Sequence, residues 1–574
     1  MNLTRSQKKY LKKNLKKIPL KEIADNLKIS ENELSSYLKS QWGDEKYQNF
    51  VKRQKEPENI ENKLPISHSN WKIFALLALL IFVVYFNSLG NDFVSDDISS
   101  IVNFSAFGSV SSFLYSTFPF FSPIHFFRYF ISFLGKIPFP YHLISILFHL
   151  GSTYLLFRIL IKMQFKTTVS FFACLLFAVH PLMTEAVAWI SGIPYSQSAF
   201  FLLLSFLTYL IYKETGISKK IYLISLSSFL LALLTSEKTI VFPLILFLYE
   251  LTNQKNLQSL KSSFKYLFPY FAISGLWAVY LLGLMGTRIS TLQTVHYQKP
   301  ETYNPLIQIP VAITSYLELI FWPKNLTLYH SEMSFSQVEY FLRLGVFIFF
   351  LGLTIWFFKK DRRIFFWLSF FLISLLPTLT PFGISWIVAE RYVYLGTIGI
   401  IVPIVVLIEY IGRKVSEPKI AYVILTILLL ILGTRTILRN DDWKNQDTLW
   451  LSTAKTSPSS AQNHNNLGDY YGRQGNFEKA VEEFQTAIKL QPNYGDAYHN
   501  LGNTYQQVQK YDLALASYQK ALEFNPNLWQ SLVNIGIIYY KNGDKQKAQE
   551  EFQKALKIDP QNAKIKELLL QTSP

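Results

Sequence analysis

Residues 71–97 read WKIFALLALLIFVVYFNSLG followed by NDFVSDD, a predominantly apolar run from Trp71 to Leu89 and then two adjacent carboxylates, Asp96 and Asp97. The run is long enough to cross a bilayer, because about 20 apolar residues rising 1.5 Å each cover a ~30 Å hydrocarbon core. That places the chain among helical membrane proteins and sets Asp96-Asp97 where a span ends. Carboxylates at a membrane surface are costly unless they bind or react with something. The pair is therefore a functional candidate, and a solvated acidic turn is the competing reading.

Composition agrees. Half of the 574 residues are hydrophobic, 17% are charged and 16% are aromatic, the balance of a multi-span protein with soluble parts. The net charge of +17 invites a nucleic-acid reading. However, Lys and Arg gather in the first 70 residues and in short loops between apolar runs, as in cytoplasmic segments of membrane proteins. Cys174 is the only cysteine and lies in an apolar run, so an internal disulfide is excluded. The lysine-rich start carries no cleavable signal pattern, which leaves targeting to the first span.

The basic segment before Trp71 places the N-terminus in the cytoplasm and Asp96-Asp97 outside. Ordering the later apolar runs by their basic flanks gives ten more spans: 141–161, 167–189, 196–212, 221–234, 239–251, 266–285, 342–358, 364–382, 393–411 and 420–438. The stretch 306–322, bounded by Pro305 and containing Pro310, reads as a re-entrant or interfacial helix. If it spanned, the cluster Lys359-Lys360-Asp361-Arg362-Arg363 would move outside, against the charge rule. The expectation is an all-α polytopic bundle of about eleven spans over 71–440, with the C-terminal region outside.

Residues 1–70 form a small basic module. Ile23, Ala24 and Leu27 make one helical face and Leu34, Tyr37 and Leu38 a second. Between them Ser30 is an N-cap with Glu33 completing a capping box. The pattern is helix-turn-helix-like. Its second helix offers Glu31 and Glu33 and no Arg, which is poor for phosphates and guanine edges. Contact with anionic lipid or a protein suits the lysine lead (Lys8, Lys9, Lys12, Lys13, Lys16, Lys17) better than DNA binding.

The tail, 441–574, is periodic. Pro458, Pro492, Pro526 and Pro560 recur every 34 residues, as do Gly468, Gly502 and Gly536, the asparagines Asn466, Asn500 and Asn534, and two alanine series. This is the tetratricopeptide repeat, a pair of antiparallel helices per unit. Three units occupy about 459–492, 493–526 and 527–560, and 561–570 reads as a capping helix. Stacked repeats present a concave surface to peptides or proteins and are not catalytic.

On this topology the outer face collects Asp96, Asp97, Arg128, His142, His180, Glu185, Glu237, Lys238, Arg288, Tyr329, His330, Glu390, Arg391 and Tyr394. Acidic and basic groups converging at a bilayer surface suit acid–base chemistry on a lipid-linked, phosphate-bearing substrate. Asp96 and Asp97 lack a third ligand at informative spacing, so no metal site is assigned.

Several motifs occur in order ahead of the repeats: Phe93-Val94-Ser95-Asp96-Asp97, Tyr141-His142 with His149, His180-Pro181 with Thr184-Glu185-Ala186-Val187-Ala188, Ser236-Glu237-Lys238 with Pro243, and Glu390-Arg391-Tyr392-Val393-Tyr394-Leu395. That series resembles the transmembrane and tetratricopeptide-repeat O-mannosyltransferases and their bacterial relatives in the GT-C superfamily. The resemblance covers about residues 71–560. It implies inverting transfer of a sugar, mannose in that family, from a polyprenyl-phosphate donor to a hydroxyl of a protein or other acceptor, with no further cofactor. It further implies Asp96 as base and Asp97 as its support. Arg391 would meet the donor phosphate, with Lys238 and His180 assisting, Glu390 fixing Arg391, and Glu185 positioning the sugar. Two departures stand out: Ser236-Glu237-Lys238 replaces the family's Ser-Lys-Glu order, and Phe121-Ser122-Pro123 replaces Tyr-Arg-Pro.

Two rivals remain. A non-catalytic scaffold would need one span to anchor its repeats. A transporter of lipid-linked sugar would favour internal symmetry and charge at mid-membrane, whereas these charges lie at helix ends. The lysine- and asparagine-rich composition points to a bacterial inner or plasma membrane with the repeats extracytoplasmic.

Overall fold

The computed structural model describes residues 20–27, 29–44, 68–103, 135–215, 218–253, 257–295, 305–331, 335–379 and 388–572, with isolated residues between them. The lysine lead of residues 8–17 and Arg128 lie outside the described residues, as does the side chain of Arg288. Two compact units separate at Ala75.

In the first unit, helix α1 (Leu20–Leu27) and helix α2 (Glu31–Trp42) bury the two faces expected of them: Ile23, Ala24 and Leu27 close on Leu34 and Leu38. The box at the start of α2 is complete. Ser30 Oγ accepts from Glu33 N at 3.2 Å, and Glu33 Oε2 accepts from Ser30 N at 2.9 Å. Each bond supplies a partner to a backbone N–H that the first turn of a helix would otherwise leave unpaired.

The second unit begins within α3 (His68–Tyr85). It continues through α4 (Phe139–Lys162), α5 (Thr167–Val179), α6 (Thr184–Val187), α7 (Ile193–Thr215), α8 (Lys219–Thr235), α9 (Phe242–Asn253), α10 (Leu257–Val295), α11 (Pro305–Phe321), α12 (Gln337–Lys360), α13 (Arg362–Leu375), α14 (Ile398–Lys414) and α15 (Pro418–Asp442). The chain is a multi-pass membrane protein. Among the described residues six helical stretches are long and apolar enough to cross a bilayer: 71–90, 139–162, 190–215, 263–284, 337–360 and 419–442. A seventh is available if α5 and the turn through Val187, bent by 55° at His180-Pro181, count as one span.

Length and composition thus carry six or seven spans rather than eleven. The difference lies in α8 and α14 at 17 residues, α13 at 14 and α9 at 12. At 1.5 Å per residue these reach about 18–26 Å, short of the ~30 Å core. The run expected to span from Val393 begins its helix only at Ile398, because 390–393 close a tight 3-10 turn instead.

Polar groups inside this bundle bond to one another. Ser205 Oγ donates to Ser225 O (2.7 Å) and Ser225 Oγ to Ser205 O (2.6 Å), so α7 and α8 exchange reciprocal hydrogen bonds. Small hydroxyl residues let two helices approach closely where lipid gives no hydrophobic drive to pair them.

Beyond α15, α16 (Gln446–Thr456) leads into the repeats: α17 (Ala461–Arg473) with α18 (Phe477–Leu490), α19 (Gly495–Gln507) with α20 (Tyr511–Phe524), and α21 (Trp529–Lys541) with α22 (Lys545–Ile558). Helix α23 (Ala563–Thr572) follows. The period has a steric cause. A Cβ on Gly502 would stand 2.7 Å from the Tyr518 ring, so only glycine lets α19 lie that close to α20.

Candidate functional site

The stretch 91–97 does not dangle from its span. Asn91 Nδ2 donates to Asn440 O (3.1 Å), Asp92 N to Lys444 O (2.8 Å), and His142 Nε2 to Asn91 O (3.0 Å). Ser95 takes a positive φ of 54°, an uncommon conformation for a residue with a Cβ. The chain turns there, and the neighbouring carboxylates part. Asp97 is fully buried: its Oδ1 accepts from Ser191 N (2.7 Å) and Ser191 Oγ (2.5 Å), and its Oδ2 accepts from Val94 N (3.0 Å). Asp96 is exposed. One carboxylate holds the loop and the other is presented.

The seat for this loop is the turn after the bent helix. Trp189 Nε1 donates to Val94 O at 3.3 Å, and the indole stacks on Trp443 with centroids 5.4 Å apart. Gly192 makes the turn close enough to serve, since a Cβ there would stand 2.1 Å from the carbonyl oxygen of Glu185.

Arg391 lies 5.4 Å from the Trp189 ring and 5.1 Å from the Tyr392 ring. Its partner is Glu185, whose carboxylate accepts from Arg391 N (2.6 Å) and from Arg391 Nη1. The Glu185 side chain is fully buried, whereas that of Arg391 keeps 13% exposure. Lys238 approaches the same group, with its Nζ 3.1 Å from Tyr195 Oη and against the Tyr392 ring. Burial, reinforced by the nearby Arg391 charge, holds the Lys238 ammonium well below its ordinary range. Arg391, a standing cation, and Lys238, whose charged form a bound anion would favour, pack with Tyr195 and Tyr392 into a place suited to an anion.

The remaining candidates have other partners. Glu390 is buried facing away from Arg391: it accepts from Arg439 Nη2 at 3.2 Å and from Thr327 N. Burial pushes its carboxyl up, against the Arg439 charge that holds it down. The reading that Glu390 fixes Arg391 is therefore corrected, because Glu185 does so. Neighbouring side chains in a 3-10 turn diverge by roughly 120°, which sends Glu390 and Arg391 to different surroundings. His180 serves as a joint of the scaffold. Its Nδ1 accepts from Leu182 N (3.2 Å) and its Nε2 donates to Ile320 O (3.0 Å), which ties the helix break to α11.

His149 is likewise internal, its Nε2 donating to Ala178 O (3.0 Å) and its Nδ1 accepting from Tyr394 Oη (2.7 Å). His330 lies 3.9 Å from Glu390, and burial, with Arg439 and Arg391 nearby, pushes it down to about 3. Glu237 is exposed on the turn that carries Lys238.

Four residues outside the expected set complete the arrangement: Trp189, Tyr195, Arg439 and Trp443. Arg439, 5.8 Å from the Trp443 ring, also binds Asp442 at 2.8 Å. A continuous chain of contacts thus runs from Val94 through Trp189 to Arg391, and through Trp443 and Arg439 to Glu390. Tyr329 stacks on Trp450, and its carbonyl accepts from Ser457 Oγ, so the segment before the repeats docks on the same region.

The tetratricopeptide repeat family profile matches residues 459–527 and 493–561. Protein O-mannosyl-transferase TMTC3 of Mus musculus is 26% identical over 391 residues, 62% of this chain and 42% of its own length. Protein O-mannosyl-transferase TMTC1 of Homo sapiens is 26% identical over 414 residues, 62% of this chain and 46% of its own length. The chain therefore spans less than half the length of these relatives, to which it is distantly homologous. Among solved structures, the crystal structure of MamA protein covers 28% of this chain and 93% of its own at 24% identity, with a TM-score of 0.19.

Proposed function

We propose that the chain is a membrane glycosyltransferase that moves a sugar, mannose by analogy with its relatives, from a polyprenyl-phosphate donor to a hydroxyl of a protein acceptor. The observation that carries the reading is the division within Asp96-Asp97. A buried carboxylate anchors a strained loop so that an exposed one stands on it, and Trp189 joins that loop to the Arg391 cluster. Asp96 takes the proton from the acceptor hydroxyl as its oxygen bonds to the sugar C1. The C1–O bond to phosphate breaks with its electron pair, leaving polyprenyl phosphate and inverting the anomeric carbon. Arg391 and Lys238 stabilise the second negative charge that develops on the departing phosphate. Glu185 keeps Arg391 in place, and Glu390 with Arg439 sets the turn that carries it.

In this reading the face bearing Asp96 is extracytoplasmic, the N-terminus is cytoplasmic, and the repeats capture the acceptor or a protein partner. The positive-inside distribution of Lys and Arg supports the orientation. The test is transfer from a panel of radiolabelled polyprenyl-phosphate sugars in membranes containing the chain, with Arg391→Gln as the comparison. Transfer of one sugar, lost in the variant while the protein remains inserted, is expected. No transfer from any donor would sink the proposal.

A further inference from the structure

A cleft of about 1190 Å³ runs along α12 between α11, α13 and α14, lined by Leu342, Val346, Phe349, Leu353, Phe357 and Ile404. The site already described does not use it. Helix α12 buries only Phe350 and Thr354 of its 24 residues, and Phe349, Ile355 and Trp356 are exposed, so the cleft opens toward lipid. Its ends lie at Arg343 and Lys360, about 26 Å apart at 1.5 Å per residue, within the length of the membrane-spanning helix α12.

The two ends carry opposite charge. At the Arg343 end stand Glu318 and Glu339, and Arg343 is spent on Glu318 at 3.0 Å, leaving an excess of one carboxylate. At the other end the cleft is lined by Lys360 and Asp361, Asp361 is committed to Arg363 at 3.1 Å, and the run Lys359-Lys360-Asp361-Arg362-Arg363 gives that end of α12 an excess of cations. Lys359 and Lys360 are exposed there, and Tyr410 in the lining brings the last turn of α14 to the same end, with Lys414 and with Arg413 paired to Glu409 at 2.7 Å.

We propose that this cleft seats an anionic phospholipid from the leaflet that holds the Lys359–Arg363 run. Its acyl chains lie along Phe349, Leu353 and Phe357, and its headgroup phosphate lies between Lys359 and Lys360. Basic pockets between membrane helices recognise anionic headgroups, and each Lys near an anionic surface contributes measurably. The sugar donor is a poorer occupant. It would bring its phosphate to the Arg343 end, the side where Ile320 meets His180, into an excess of carboxylate.

The experiment is native mass spectrometry of the full chain released from nanodiscs of equal phosphatidylglycerol and phosphatidylcholine, with polyprenyl phosphate added in a parallel arm. Two lysines predict about thirtyfold preferential retention of phosphatidylglycerol. Lys359→Gln with Lys360→Gln brings retention near parity without changing the melting temperature in phosphatidylcholine alone. Leu353→Trp, which fills the cleft, removes retention of either phospholipid. Equal retention by the unaltered chain, a preference that survives the double substitution, or polyprenyl phosphate displacing phosphatidylglycerol would each overturn the assignment.

Discussion

Asn replaces Asp without changing size, so the same substitution at 96 and at 97 separates chemistry from scaffolding. Asp97 accepts three hydrogen bonds, two from Ser191 and one from Val94, with one carboxylate oxygen for each partner residue. Asparagine keeps a single acceptor oxygen. Whichever way its amide turns, an NH2 group faces a backbone N–H, and one buried donor is stranded at a cost of about 1–3 kcal/mol. At about 2 kcal/mol, the opening that exposes Val94 N and Ser191 N becomes roughly thirtyfold more frequent. Hydrogen exchange resolved to those amides reads that factor directly.

Asp96 is exposed, and its carbonyl oxygen, which the substitution leaves intact, accepts from Ser99 Oγ at 3.1 Å. Asp96→Asn should therefore shift stability by no more than about 0.5 kcal/mol while lowering kcat by about 10²–10⁴, the range a general base supplies. KM for the donor should hold. The reasoning fails if Asp96→Asn retains full transfer, or if Asp97→Asn abolishes transfer while Val94 and Ser191 exchange at their original rates.

Other perturbations read other parts of the fold. Glu185→Gln leaves the Arg391 guanidinium without its buried counter-charge and should cost about 3–5 kcal/mol in thermal or chemical unfolding; Gln at 185 with unchanged stability would show the pair to be loose. Gly502→Ala drives a methyl into the Tyr518 ring, so the repeats should lose about 1–3 kcal/mol, seen as faster exchange across α19 and α20. Burial pushes His499 down to about 4 from 6.5, so the unfolded chain takes up the proton first. Its contribution is complete above about pH 6.5 and declines as pH falls toward 4, by up to about 3 kcal/mol. His499→Gln should flatten that decline in the exchange of α19 and α21. His464 works in the opposite sense, because its hydrogen bond to Glu483 holds its pKa up and its contribution fades as pH rises.

What sequence reading can reach follows from the range of the interactions. The capping box at Ser30 and Glu33 spans three residues, and the repeat period is written in glycine and proline positions. Both are local, and both appear in the structure where expected. The Arg391 partner is not local. Glu185 lies 206 residues away, whereas Glu390 lies next door and attracts the pairing on paper. Only the turn geometry shows that adjacency in the chain is separation in space. Arg439 is hidden by the apolar helix that carries it, where a terminal arginine reads as a membrane-end residue. Of the eleven expected spans, length and composition carry six or seven among the described residues, since hydropathy marks an apolar run without showing where a 3-10 turn or a break shortens the helix.

One buried cluster carries a consequence for how such a chain can change. Val94 of the loop, Ala188 and Trp189 of its seat, Leu449 and Trp450 of α16, and Leu467 of the first repeat share a single core. The repeats are therefore not a detachable accessory. Cutting the chain after α15 would strip apolar cover from the loop that carries Asp96, so a truncated chain would lose the setting of its chemistry along with its grip on a partner. Repeats can be added or exchanged beyond the second repeat with little penalty, because later repeats touch only their neighbours. The first repeat is bound into the membrane domain through Leu467, and its sequence answers to two masters.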